Sequence, residues 1–354
     1  MPLEFEISVQ ELREAEFDEW TALVSESPEG SIYSLPQYLE ILCRAAGGRF
    51  SILVVRNGGE LAGGVALYES ASRYGTHVSP RMLLSYNGVV LRRYETRYPS
   101  QQTARHIKIL SGLVEALSRR GYARVTLNCR SSITDLRPFL AAGWSASPYY
   151  TYVVPIADLD LLWSRIERNL RRLIKRCEKD GMTVTEDDDF EASFRMHAGT
   201  MERKDLGPYL PEPAFRCYFD TLRAANLCRL FHARLPDGRA IATQLVLLGP
   251  SPVTHTVTAA ADLEFLRTGV NAFLRWKTFE AISAMGFSGN DLTGAGLNPV
   301  THFKSQLGGD LHLFLVADSP RTLRYRLGSR AEALYRLGRM ALENTARSIG
   351  LKTS

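Results

Sequence analysis

The chain has 354 residues, 45% of them hydrophobic and 23% charged, which is enough to bury two cores of ordinary domain size. No run of about 18 apolar residues occurs, and the start "MPLEFEISVQ" lacks a basic stretch followed by an apolar one, so neither a membrane span nor a signal peptide is expected. The net charge of +5 is uneven: from Pro320 onward eight basic residues stand against Glu332 and Glu343, giving that tail +6 and the body before it −1.

In chain order, residues 13–25 and 36–46 predict helices, the second opened by Pro36 in its first turn. "FSILVVRNGGELAGGVALY" (50–68) predicts a hairpin around a glycine turn, and "RMLLSYNGVVL" another strand. A helix with an apolar stripe follows over 101–119, then a strand in "GYARVTLNC", a short helix in "DLRPFLAAGW" and a strand in "YYTYVVPI". The second half repeats this order. One long amphipathic helix over 158–180 is expected, then the strand "MTVTE" and helices near 190–204 and 212–226. A hairpin with an Asp-Gly turn (227–249), the strand "VTHTVTAAA", a helix over 269–285, the short strand "SGNDLTG", a helix over 299–307 and the strand "LHLFLVA" complete it.

Two pairs of segments match across the halves. "GGELAGGVAL" (58–67) parallels "DGRAIATQLVL" (237–247), and "GYARVTLN" (121–128) parallels "GFSGNDLT" (286–293). Their offsets nearly agree, which points to a duplicated α/β unit. The five cysteines are scattered, with no C-x-x-C pair, so neither a disulfide framework nor a structural zinc site is expected, and a reducing cytoplasm fits. The seven histidines show no metal-ligand spacing.

Four features of the second half occur in a telling order: "YYTYVVPI" followed by "NLRRLIKRCEKDGMTV", then "DGRAIATQLVLL", "GFSGNDLTG" and "HFKSQLGGD". Over roughly residues 145–316 this set resembles the FemAB-like and CelD-like (cellulose biosynthesis) branch of the GNAT acyltransferase superfamily. The resemblance implies an α/β fold of two tandem GNAT-like domains, each a mixed, mostly antiparallel sheet flanked by helices. The expected divisions are 1–156, 157–318 as the catalytic domain, and a basic helical tail over 319–354. It also implies transfer of an acetyl or aminoacyl group to an amine of a small metabolite, sugar, lipid or peptide, in envelope, polysaccharide or specialised-metabolite biosynthesis. No permanent cofactor is implied; acyl-CoA or aminoacyl-tRNA serves as co-substrate.

Acyl transfer needs an oriented nucleophile, a route for its proton and donors aimed at the developing oxyanion. The resemblance carries an acyl-donor role to Lys304, next to Phe303; a solvated helix lysine is the alternative. Asp291 ends a short strand and can orient a donor, accept a proton or cap a turn, and Asn298-Pro299 opens the helix that carries Lys304. In "Leu266-Arg267-Thr268-Gly269-Val270-Asn271-Ala272" the pair Arg267 and Gly269 is present, with Asn271 beyond, but the spacing departs from the family's pyrophosphate-binding loop. Glu202, Arg203 and Tyr209 gather at a helix-to-loop boundary, where the family places an arginine toward the acceptor. Gln244 lies on an apolar strand and must find a partner or line a cleft.

Arg165, Arg168, Arg172 and Lys175 recur along one side of the 158–180 helix, a ridge suited to tRNA phosphates or to solvent. The basic tail can pack on the catalytic half, lie on an anionic membrane surface or grip tRNA. Cytoplasmic location, with peripheral contact at the inner membrane, is the expectation. A silent GNAT-like docking module is the rival from another class.

Overall fold

The computed structural model describes residues 6–323, 325 and 326; the basic tail beyond them lies outside the described residues. The first unit runs β1 (Ile7–Glu11), α1 (Phe17–Glu26), α2 (Pro36–Ala46), β2 (Arg49–Asn57), β3 (Glu60–Ser72), β4 (Gly75–Val78), β5 (Val89–Leu91), α3 (Pro99–Arg119), β6 (Arg124–Asn128), α4 (Arg137–Ala141) and β7 (Ser145–Pro155). Two helices, α5 (Leu159–Arg165) and α6 (Arg168–Lys179), lead to the second unit. That unit runs β8 (Thr183–Glu186), α7 (Phe190–Glu202), α8 (Glu212–Ala224), β9 (Cys228–Arg234), β10 (Ala240–Leu247), β11 (Val253–Ala261), α9 (Val270–Ala284), β12 (Gly289–Asp291), α10 (Pro299–Ser305) and β13 (Asp310–Asp318).

The thirteen strands of the described residues join one sheet in the order β1-β2-β3-β4-β6-β13-β7-β12-β11-β10-β9-β8, with β5 set against β3. The order reads the same from either end once each strand is replaced by its repeat partner. The duplicated segments therefore occupy matching places, β3 with β10 and β6 with β12. The closing strands are exchanged: β7 pairs with β12, while β13 pairs with β6 and runs antiparallel to β7 along its whole length. Each unit thus lends its last strand to the other's half of the sheet.

Apolar packing also crosses the units. Trp20, Tyr38 and Leu42 share one core with Phe215, Tyr218, Phe219 and Leu245. The Tyr38 and Tyr218 hydroxyls meet at 2.9 Å where α2 packs on α8. A second core lies under α9 and α6, and a third under α3.

Two expectations are corrected. The stripe over 158–180 is not one helix: Ile166 is extended (φ −65, ψ 135), and the chain breaks between α5 and α6. There the Glu167 N–H donates to the Gln306 carbonyl at 3.0 Å, and the Gln306 amide donates to the Glu167 carboxylate at 2.8 Å, so the end of α10 takes over the helix's own bonding. "RMLLSYNGVVL" is a strand only over its last three residues. Leu83 stands at φ 71, a left-handed turn that ends extended pairing, and its carbonyl accepts from the Tyr38 hydroxyl.

Candidate active site

Strands β11 and β12 run parallel only over Val253–His255 and Gly289–Asp291. Beyond that point β11 continues to Ala261, while the chain after Asp291 turns to the other neighbour. Leu292 N–H donates to Tyr152 O at 2.9 Å and Ala295 N–H to Tyr150 O at 2.7 Å. Two successive left-handed residues, Thr293 (φ 51) and Gly294 (φ 78), make this departure, and a residue with a Cβ is strained at the second. The sheet therefore splits between β11 and the 292–295 segment.

Helix α10 stands over this departing segment. The Asn298 side chain accepts from Thr301 N–H at 2.9 Å as an N-cap, with Pro299 in the first turn. One turn on, Phe303 packs into the α9 core and Lys304 reaches back to the split. Its ammonium donates to Thr293 O at 2.7 Å and to Gly294 O at 2.8 Å, which leaves one of its three N–H groups for a ligand. Burial pushes its pKa down to about 8, the positive charges of Arg275 and Lys204 add to this, and Asp291 opposes it.

Asp291 is buried and fully engaged. Its Oδ1 accepts from the Thr151 hydroxyl at 2.6 Å and Thr293 N–H at 2.8 Å, and its Oδ2 from the Tyr86 hydroxyl at 2.8 Å. One carboxylate thus ties the first unit, strand β7 and the turn that opens the split. His255 lies 3.7 Å from Oδ2, wedged between Tyr33 and Tyr86, and among the described residues neither ring nitrogen has a hydrogen-bond partner.

Burial lowers the His255 pKa from 6.5 to about 4, Arg130 adds to this and Asp291 opposes it. The unfolded imidazole binds a proton through that range while the folded one does not, so stability falls as pH drops from about 6.5 toward about 4. Thermal melts across this range should show the loss, and a His255→Phe variant should flatten it. An unchanged slope in that variant would remove His255 as the cause.

Glu202 and Arg203, at the C-terminal end of α7, line one cleft of about 550 Å³ with Glu191, Arg195, Ala261 and Asp262. Arg203 also donates to Ala261 O at 3.3 Å, at the far end of β11. Tyr209 turns away from that cleft: its ring packs 4.6 Å from His197, and its N–H donates to His197 Nε2. Gln244 is fully buried, and its amide donates to Thr256 Oγ1 at 3.1 Å.

Arg267 is exposed, Asn271 sits half-buried in the first turn of α9, and Gly269 is buried at that helix's N-cap. A Cβ on Gly269 would lie 2.5 Å from Leu173 Cβ, so α6 covers the start of α9. On α6, Arg168, Arg172 and Lys175 are exposed, whereas Arg165 on α5 is paired with Asp310. The sequence did not single out Tyr86, Thr151, His255 or Arg275 as site residues. Arg275 had one visible signal, a charge inside the largely apolar "VNAFLRW". Among the described residues no His, Cys, Asp and Glu group could hold a metal ion, and no helix is long and apolar enough to cross a membrane.

Residues 164–305, from the end of α5 through α10, match the family model of the acetyltransferase (GNAT) domain. Residues 164–305 thus match a GNAT domain. The split, Lys304 and Asp291 all lie within it. The solved structure of FemX is similar over 87% of this chain and 96% of its own, at 15% identity and a TM-score of 0.65. A tandem GNAT protein from the clavulanic acid biosynthesis pathway is similar over 89% and 98%, at 14% identity and 0.52. L-PGS from Bacillus licheniformis is similar over 87% and 98%, at 12% identity and 0.52. These likenesses concern the fold: a GNAT domain preceded by a unit of like topology. No curated protein matches the sequence.

Proposed function

We propose that the protein transfers an acyl group from a carrier to an amine of a small metabolite, sugar, lipid or peptide, with the split between β11 and β12 as the transfer site. The observation that carries this reading is Lys304, fixed by two carbonyls at the split with one N–H left over. The acceptor nitrogen attacks the acyl carbonyl, a C–N bond forms, and the carrier's ester or thioester bond breaks. The amine proton leaves to Glu202 or water, and the carrier departs as a protonated hydroxyl or thiol. Lys304 stabilises the intermediate oxyanion. Arg203 holds an anionic part of the acceptor, and Asp291 acts as a positioning residue, because its oxygens are already occupied. We place this activity in the cytoplasm, in envelope or specialised-metabolite biosynthesis, in keeping with the pathway named for one structural neighbour.

For the carrier, one observation favours aminoacyl-tRNA over acyl-CoA. Leu173 crowds Gly269 at the N-cap of α9, where the sequence already departs from a pyrophosphate-binding loop, while the adjoining α6 presents Arg168, Arg172 and Lys175 to solvent. Transfer assays with acetyl-CoA and with charged total tRNA, against a panel of amines, separate the carriers. Reversing all three charges to Glu is expected to weaken tRNA binding and to reduce the log–log salt slope by about 2–3. Acetyl-CoA-driven product, with tRNA affinity unmoved by the reversal, would sink the tRNA reading. No product with either carrier would leave the docking module.

A further inference from the structure

Helix α9 turns Asn271, Arg275 and Thr278 to one side, spaced four and three residues apart. The opposite side packs on α5 and α6, through Trp276 on Trp163 at 4.7 Å and Gly269 under Leu173. The polar stripe therefore faces the sheet. From the sheet, Gln244 projects on the same side as Ala242 and Val246, which share one core with Leu274 and Ile282 on the stripe's side of α9.

The hydrogen bonds on this side run in one direction. Gln244 donates to Thr256, Thr256 to Asn290 Oδ1 at 2.9 Å, Asn290 to Thr254 at 2.8 Å, and Thr254 to Gly289 O at 3.2 Å. On this side, three buried atoms have no partner among the described residues: Gln244 Oε1, Thr278 Oγ1 and Arg275 Nη1. Arg275 is 7% exposed, and among the described residues no carboxylate pairs with it. Burial lowers its pKa only to about 10, so it stays charged at neutral pH. A buried guanidinium without a counter-ion is strongly unfavourable, and Lys304, a second cation, lies within its electrostatic range.

We propose that the layer between α9 and strands β10–β12 binds a carboxylate or phosphate group of the molecule that enters the split, with Arg275 as its counter-ion. Thr278 offers a further donor to that anion. Gln244 Oε1 offers an acceptor for an N–H on the same molecule. This site rests on the split as the substrate entrance, but binding is measured apart from transfer. Absence of acyl transfer would therefore leave it standing, and absence of anion binding would leave transfer standing.

The test uses the full chain with succinate or inorganic phosphate at about 10 mM, against chloride of equal ionic strength. One or both anions should raise the wild-type melting point by about 3 °C or more. Arg275→Met should abolish that shift while melting no lower than wild type without anion, because it removes an uncompensated charge. A response to succinate alone assigns a carboxylate, and to phosphate alone a phosphate. Equal anion shifts in wild type and Arg275→Met, or none in wild type, overturn the proposal. Should Arg275→Met not fold, the Arg275 side-chain NMR resonance of wild type decides. It must move on titration with one of the two anions, and a stationary signal at saturation overturns the site.

Discussion

Replacing Lys304 by methionine is expected to lower the rate of acyl transfer by about 100- to 1,000-fold, with far less change in acceptor KM. The magnitude follows from losing one charged donor aimed at the developing oxyanion, an interaction stronger in the transition state than in the ground state. Two carbonyls already fix the ammonium, so little ordering remains to be done during reaction. The pH profile gives the sign. With a pKa of about 8, Lys304 is mainly protonated at neutral pH and loses its proton as pH rises through 8. A cation in the working form gives a rate that falls through that region, and Lys304→Arg should move the falling limb upward. Stability should run the other way: the unfolded ammonium, at 10.5, holds its proton more tightly, so the folded state gains between about 8 and 10.5. A falling limb that Lys304→Arg leaves in place, or none at all in wild type, would end the oxyanion reading.

Why these elements were legible, and others not, has a physical basis. Helix α2 announced itself through Pro36, the β9–β10 hairpin through Asp237-Gly238 with Gly238 at φ 88, and α10 through Asn298-Pro299. Each is a local signal that needs no distant partner. The break at Ile166 had no such mark, since the apolar stripe runs on through Leu170 and only the distant Gln306 makes the extended backbone favourable. The exchange of β7 and β13 was equally hidden, because alternation along a strand records which face is buried but not which neighbour it pairs with. Lys304 was singled out through the resemblance, and its contacts with the Thr293 and Gly294 carbonyls carried no sequence signal of their own. The Tyr86–Asp291 bond joins residues 205 apart in sequence and from different units, so it had no sequence signal.

That bond makes Asp291 the second position of large expected effect. Asp291→Ala should cost about 3–5 kcal/mol, a melting shift on the order of 10 °C. It strands three buried donors at once: the Tyr86 and Thr151 hydroxyls and the Thr293 N–H. Asp291→Asn should be far milder, about 1 kcal/mol. Thr151 and Thr293 both bond Oδ1, which an amide oxygen can replace, and the Tyr86 hydroxyl can rotate to accept from the new amide N–H. The Asn variant then isolates the charge. Asp291 raises the Lys304 pKa, so removing its negative charge should lower that pKa further and bring the falling limb of the rate below pH 8. A base at Asp291 predicts something else: activity lost at every pH, with no displaced limb. Measuring the full profile of Asp291→Asn, beside its melting point, therefore separates a residue that holds the split and tunes Lys304 from one that takes the proton. The three occupied lone-pair directions of its carboxylate argue for the former.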